Sequence, residues 1–253
     1  MAGTAHAAVA LVTGGGGGIG RAASLAFAAR GYRLAIADIR GEAAEAVAAE
    51  LRQQGATATA FAVDVGERSA VETLMASLRQ LYGRLDAAFN NAGASSLRAP
   101  LADVEDDDWD RVLRANLTGT FLCMKHEIRW MLEQGHGCIV NNCSVFGLGG
   151  SIGASYTASK HGIAGLTRSA ALSYAGRGLR INAVCPGLID AGMGARFLER
   201  SSEDNIAEAL SLHPAGRAGT AEEVALAVTW LCSEDARYIH GHLLPVDGGY
   251  SAR

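Results

Sequence analysis

The sequence predicts an α/β fold: a single domain over residues 1–253, built on a parallel sheet whose seven candidate strands are separated by helices. Three observations carry this reading. Short apolar runs alternate with helical stretches of ten or more residues along the chain, which is the rhythm of βαβ crossovers. The first apolar run feeds a glycine-rich turn that opens a helix. No Pro- or Ser-rich linker and no solenoid repeat interrupts the alternation. A chain of 253 residues can bury about three quarters of the surface its unfolded form exposes, enough for a core without disulfides or metal.

In order, residues 7–12 (AAVALV) read as a buried strand ending at Thr13, before Gly14 to Gly18. Ile19 to Arg30 is Ala-rich and amphipathic, and Gly31 stands where a helix-ending glycine belongs. RLAIAD (33–38) is the second strand, and 41–54 is a helix stopped by Gly55. Strand 57–63, helix 67–83 and strand 85–90 follow. One helical region spans about 106–134; the acidic cluster Glu105 to Asp108 at its start complements the helix dipole. Then come strand 138–143, helix 153–175, strand 179–185, a mixed loop-and-helix region at 191–212, helix 221–233 and strand 242–247.

Composition narrows the function classes. Lys and Arg number 22 against 26 Asp and Glu, a net charge of −4, and the basic residues are scattered, which argues against a nucleic-acid partner. No apolar run approaches the roughly 18 residues of a membrane span, and residues 1–12 lack the basic start of a signal peptide. Cys123, Cys138, Cys143, Cys185 and Cys232 are odd in number and form no C-x-x-C pair. They read as reduced, buried thiols in a cytoplasmic protein.

Gly15, Gly17 and Gly20 satisfy G-x-G-x-x-G. Five consecutive glycines make that match cheap, but its place between a strand and a helix gives it weight. Asp38 ends the next strand 18 residues beyond Gly20. In dinucleotide folds such glycines admit a pyrophosphate to a helix N-terminus, and the later acid binds ribose hydroxyls. A carboxylate there repels a 2′-phosphate, so NAD is favoured over NADP; Arg40, two residues on, is the one nearby basic group. Tyr156 and Lys160 stand four apart in a helical stretch, on one face. A free phenol, with a pKa of about 10, is a poor base near neutrality. An ammonium about 5 Å away, at an effective dielectric of about 20, favours a phenolate by roughly 3 kcal/mol.

Together with these, an Asp-Val pair at Asp64-Val65, N-N-A-G at 90–93, Asn116, Ser144 and Pro186-Gly187 occur in order. From about residue 8 to Gly249 the chain thereby resembles the short-chain dehydrogenase/reductase family. The resemblance implies a Rossmann-like domain, a doubly wound, mainly parallel seven-stranded sheet with helices on both faces, and hydride transfer between a nicotinamide cofactor and a carbinol or carbonyl carbon, in a protein usually assembled as a homotetramer. It implies that Tyr156 is the general acid/base, that Lys160 holds the nicotinamide ribose, that Ser144 bonds the substrate oxygen and that Asn116 supports a water relay. Gly14, Gly18, Ile19, Gly20, Asp38, Asp64, Val65, Asn90, Ala92, Gly93, Tyr156, Lys160, Pro186, Gly187 and Ile189 are the implied cofactor contacts.

Three positions depart from the family's pattern. Ala191 stands where a threonine often bonds the carboxamide, Thr220 replaces a common proline, and His240 replaces a common threonine. Ser95, Ser144, Phe146, Tyr156, Met193 and Phe197 are the expected substrate contacts, with 188–213 as a lid. His240 and His242 have no third ligand nearby in sequence, and no metal site is expected. The reading is an NAD-dependent oxidoreductase for a secondary alcohol or ketone with an apolar or alicyclic body. Two rivals stand beside it: a reductase of 3-oxoacyl thioesters on acyl carrier protein or coenzyme A, and a non-catalytic dinucleotide sensor or scaffold.

Overall fold

Helices cover both faces of a parallel sheet, so its strands need apolar residues at every position. β1 (Val9–Thr13) meets that demand: Val9 and Leu11 pack into one layer, Ala10 and Val12 into the other, and all four are fully buried. The computed structural model describes residues 7–253. Six further strands follow β1: β2 (Arg33–Asp38), β3 (Ala58–Ala62), β4 (Ala87–Asn90), β5 (Gly137–Asn142), β6 (Leu179–Pro186) and β7 (Leu243–Val246). They form one sheet in the order β3-β2-β1-β4-β5-β6-β7, parallel throughout. The winding reverses between β1 and β4, which opens a crevice at their carboxyl ends.

One layer is made by α1 (Gly18–Ala28), α2 (Gly41–Gln53) and the last long helix, at Ala221–Leu231. Phe27, Leu51, Val228 and Leu231 pack there against Val12, Ile36 and Phe89. The opposite layer is made by α3 (Arg68–Tyr82) and by two helices at Gly119–Gln134 and Ala154–Tyr174, through Leu78, Leu122, Met131 and Ala171. All five cysteines are buried. Trp130 is in the core, whereas Trp109 and Trp230 remain more than a third exposed. Among the described residues no helix is long and apolar enough to cross a membrane. Residues 1–6, half of the segment on which the signal-peptide reading rested, lie outside the described residues.

The expected helix over 106–134 is three pieces: α4 (Asp106–Leu113), a π-helical turn at Arg114–Thr118, and α5 (Gly119–Gln134). Apolar periodicity runs through the join, so no sequence signal marks it; the cause is the tertiary demand of Asn116, described below. The long helix after β5 is α6 (Ala154–Tyr174). Region 191–212 resolves into α7 (Met193–Arg200) and α8 (Glu203–Ser211). Thr220 caps the final helix, α9 (Ala221–Leu231): its hydroxyl accepts from the Glu223 amide, and Glu223 accepts from the Thr220 amide. The threonine thus supplies a reciprocal start signal that a proline there could not.

A polar group is buried beneath β4. Glu127, fully enclosed on α5, accepts from Asn90 Nδ2 through Oε2, while Glu127 Oε1 and Asn90 Oδ1 have no partner among the described residues. Burial pushes the Glu127 carboxyl from 4.5 up to about 8, against the smaller opposing effect of the Asn90 bond. The folded state therefore keeps a proton that the unfolded state releases above about 4.5, and stability falls as pH rises towards about 8. The slope is at most about 1.4 kcal/mol per pH unit. Urea unfolding of Glu127→Gln at about pH 5.5 and about pH 8 is expected to show a clearly shallower decline than the wild type.

Candidate active site

The glycine turn after β1 sits where α1 begins. Gly17 caps α1 with no side chain, so the first-turn amides face the crevice as an anion site. Gly20 cannot be replaced cheaply, because a Cβ there would lie 2.1 Å from the Gly14 carbonyl oxygen. Above the turn lies a cleft of about 630 Å³, in the size range of cofactor sites. Gly14, Gly18 and Ile19 line it at one end.

Asp38, at the tip of β2, also lines the cleft and is held rigidly. Its Oδ2 accepts from the Gly16 amide at 2.9 Å and its Oδ1 from the Arg40 amide at 2.9 Å. Each oxygen keeps a further lone pair for a ligand hydroxyl. The Arg40 side chain is 71% exposed, with Nε 3.7 Å from Asp38 Oδ1. Asp64 and Val65 line the next stretch of wall. Arg114 spans from Asp64 Oδ2, at 2.9 Å, to Glu67, so the Asp64 carboxylate already has a cationic partner.

Ala92 and Gly93 line the cleft, but Asn90 does not. Side chains alternate along a strand, and Asn90 follows Ala88 into the α5 layer, where its Nδ2 donates to Glu127 and to Asn141 Oδ1 at 3.1 Å. The Asn90 side chain, expected to contact a cofactor, thus lies on the α5 side of the sheet. Asn91, inside the N-N-A-G run at 90–93, lines the cleft. Its Nδ2 donates to the Thr13 and Gly14 carbonyls at 3.1 and 3.0 Å, its Oδ1 accepts from Asn142 Nδ2 at 2.8 Å, and its amide donates to Thr13 Oγ1. One side chain thereby ties together the ends of β1, β4 and β5.

Ser144 and Tyr156 both line the cleft. Ser144 Oγ accepts from the Phe146 amide at 3.2 Å, which leaves its own proton free to donate outward. Tyr156 stands one turn before Lys160 on α6. Lys160 is 3% exposed; its Nζ donates to the Asn142 carbonyl at 2.7 Å and lies 5.3 Å from the Tyr156 ring centre. Asn116 is fully buried in the π turn. Its Oδ1 accepts from the Ala94 amide, and both Nδ2 hydrogens are taken, by the Ala94 carbonyl and Ser159 Oγ, each at 3.0 Å. Both hydrogens of the side-chain nitrogen are therefore engaged within the protein.

Pro186, Gly187, Ile189 and Met193 complete the wall, with Ala191 and Gly192 beside Gly18. Three expected substrate contacts do not line the cleft. Ser95 is exposed, with its carbonyl bonded to Arg111. Phe146 stands edge-on to the Tyr250 ring at 6.3 Å. Phe197 is one turn farther along α7 than Met193. Asp108, buried at the start of α4, pins the loop before it by accepting from the Leu97 amide, Ser155 Oγ and Arg111. Asn91→Ala would strip donors from two carbonyls and the acceptor from Asn142, and should cost about 2–3 kcal/mol of stability, measurable by urea unfolding.

A family model described as enoyl-(acyl carrier protein) reductase matches residues 14–251. The levodione reductase of Leifsonia aquatica is 37% identical over 252 residues, covering 96% of this chain and 94% of the relative. The cyclohexanol dehydrogenase of an Acinetobacter strain is 39% identical, covering 97% and 95%. A crystal structure of levodione reductase superposes with a TM-score of 0.94 at 36% identity, covering 97% and 98%. A structure of a variant actinorhodin polyketide ketoreductase with NADPH also gives 0.94, at 34% identity and full coverage of both chains.

Proposed function

We infer that this chain, which belongs to the short-chain dehydrogenase/reductase family, is an NAD-dependent oxidoreductase for alicyclic secondary alcohols and their ketones. The observation that carries the reading is that Tyr156 and Ser144 both line the cleft that begins at the glycine turn, with the buried Lys160 ammonium 5.3 Å from the Tyr156 ring centre. When bound, the nicotinamide ring supplies the hydride acceptor or donor. The protein's residues do the rest.

Tyr156 Oη takes the proton of the substrate hydroxyl, or returns it to a carbonyl oxygen in the reverse direction. The Lys160 ammonium stabilises the negative charge that develops on that phenol oxygen, and its two hydrogens not taken by Asn142 are available for ribose hydroxyls. Ser144 Oγ donates to the same substrate oxygen and orients it. The amides of Gly187, Leu188, Asp190 and Ala191 all have partners within the protein; among the described residues that leaves the Ile189 amide in this turn to hold the carboxamide, which offsets the missing threonine at 191. Asn116 acts as a positioning residue, holding the π turn against Ala94 and Ser159.

Asp38 supports NAD: a carboxylate at this strand end would accept from a 2′-hydroxyl and repel a 2′-phosphate. The alicyclic body is supported by relatives named for cyclohexanol and for levodione, and by Leu188, Ile189 and Met193 in the wall. We read the assembly as a homotetramer, supported by the family and by an exposed apolar hollow around Leu117, Phe121 and Leu166. The second reading, reduction of 3-oxoacyl thioesters with NADPH, is favoured by the NADPH-bound ketoreductase and by exposed Arg40, which could pair with a phosphate.

A panel of cyclic and aliphatic alcohols and 3-oxoacyl thioesters, run with both cofactors and followed by NAD(P)H absorbance, separates the two. Cyclic alcohols with NAD are expected to turn over fastest. Asp38→Ala is expected to lower the NAD-over-NADP preference by about tenfold or more, on the scale of a lost charge-assisted hydrogen bond. Faster thioester reduction with NADPH than any alcohol oxidation with NAD would replace the first reading by the second.

A further inference from the structure

His213, just beyond α8, is buried beneath the turn at 187–189 and plays no part in the chemistry described above. Its two ring nitrogens do opposite things. Nδ1 lies 2.8 Å from the Ala209 carbonyl, which can only accept, so Nδ1 carries the hydrogen. Nε2 accepts from the Leu188 amide at 3.0 Å, so it carries none. The backbone passes so close that a Cβ on Gly187 would lie 2.9 Å from Nε2. Gly219 holds the other side of the turn, donating to the Leu188 carbonyl and accepting from the Asp190 amide. His213 is therefore one of two clamps on the segment, and the one able to titrate.

We propose that His213 is a positioning residue for the cofactor: its neutral ring fixes the Leu188 amide, and so aims the Ile189 amide into the cleft, until protonation turns the acceptor into a donor and frees the turn. The proposal rests on the reading that a nicotinamide lies against residues 186–189. A proton on Nε2 would point at the Leu188 N–H, and two donors cannot bond each other. The groups facing the ring account for its surroundings. α8 contributes the Ala209 carbonyl, and the Tyr250 ring packs at 5.1 Å with Arg253 stacked on it at 4.8 Å. Asp247, following β7, is the carboxylate close enough to attract an imidazolium; it is itself held by Ser251 and Gly249.

The test measures NADH affinity by fluorescence, with KM for NAD and kcat, from about pH 5.5 to about pH 9, in the wild type, His213→Ala and His213→Gln. Thermal melts of all three accompany it. Wild-type affinity is expected to weaken on the acid side. His213→Ala should raise KM for NAD about tenfold at every pH while kcat changes less than about threefold. His213→Gln, which keeps an acceptor but cannot titrate, should bind about as tightly as the wild type at about pH 8 and stay flat into acid. Should His213→Ala fail to fold, the pH profile of His213→Gln alone decides. Wild-type affinity for NADH with no acid weakening, or a His213→Gln profile that still bends with the wild type's, overturns the proposal. A wild type that binds no nicotinamide cofactor at all overturns this proposal together with the functional reading it rests on.

Discussion

A buried ammonium must be solvated by the protein, and here the Asn142 carbonyl at the end of β5 does that for Lys160. The rest of the site follows from this bond. Lys160 is fixed beneath Tyr156, one helical turn away, so the pair presents a phenol to the cleft with a cation behind it. Asn142 is in turn bonded to Asn91, and Asn91 to the carbonyls that begin the glycine turn. A continuous polar chain therefore runs from Lys160 to the proposed phosphate site. It crosses three strand ends at the point where the sheet's winding reverses. Both ends of a dinucleotide would thus be read by groups that share one rigid origin.

The same economy governs the adenosine end. Asp38 needs no movement to accept a hydroxyl, because the Gly16 and Arg40 amides already fix its carboxylate. Arg40 is the only basic side chain within reach of it among the described residues, and it is mostly in solvent, where a weak ion pair is screened. In the proposed reading, a fixed acid beside a largely exposed base favours an uncharged ribose edge.

Much of this was legible in the sequence because it follows from short-range rules. Apolar runs with helical spacers place the strands, and each of the seven appears within two or three residues of its expected bounds. Ser144, Tyr156 and Lys160 converge because the motifs lie at strand ends and on one helix face. What escaped depends on tertiary phase. The choice between Asn90 and Asn91 turns on which face of β4 looks at the cleft, and two adjacent asparagines give no hint of it. The π turn arises because Asn116 must reach Ala94 and Ser159 together, a demand that periodicity cannot express. Phe146 and Phe197 sit near motif residues in sequence, yet packing turns one towards Tyr250 and carries the other past the cleft wall. His213 carried no local signal at all, since its partners lie 4, 25 and 37 positions away.

The account stands or falls on whether the Tyr156 hydroxyl is the group that moves the proton. Steady-state turnover of a responsive alcohol and NADH affinity, measured side by side in Tyr156→Phe, test this most directly. The account predicts a fall in turnover of about a thousandfold with affinity within about threefold of the wild type. A variant that retains more than roughly a tenth of wild-type turnover would contradict it.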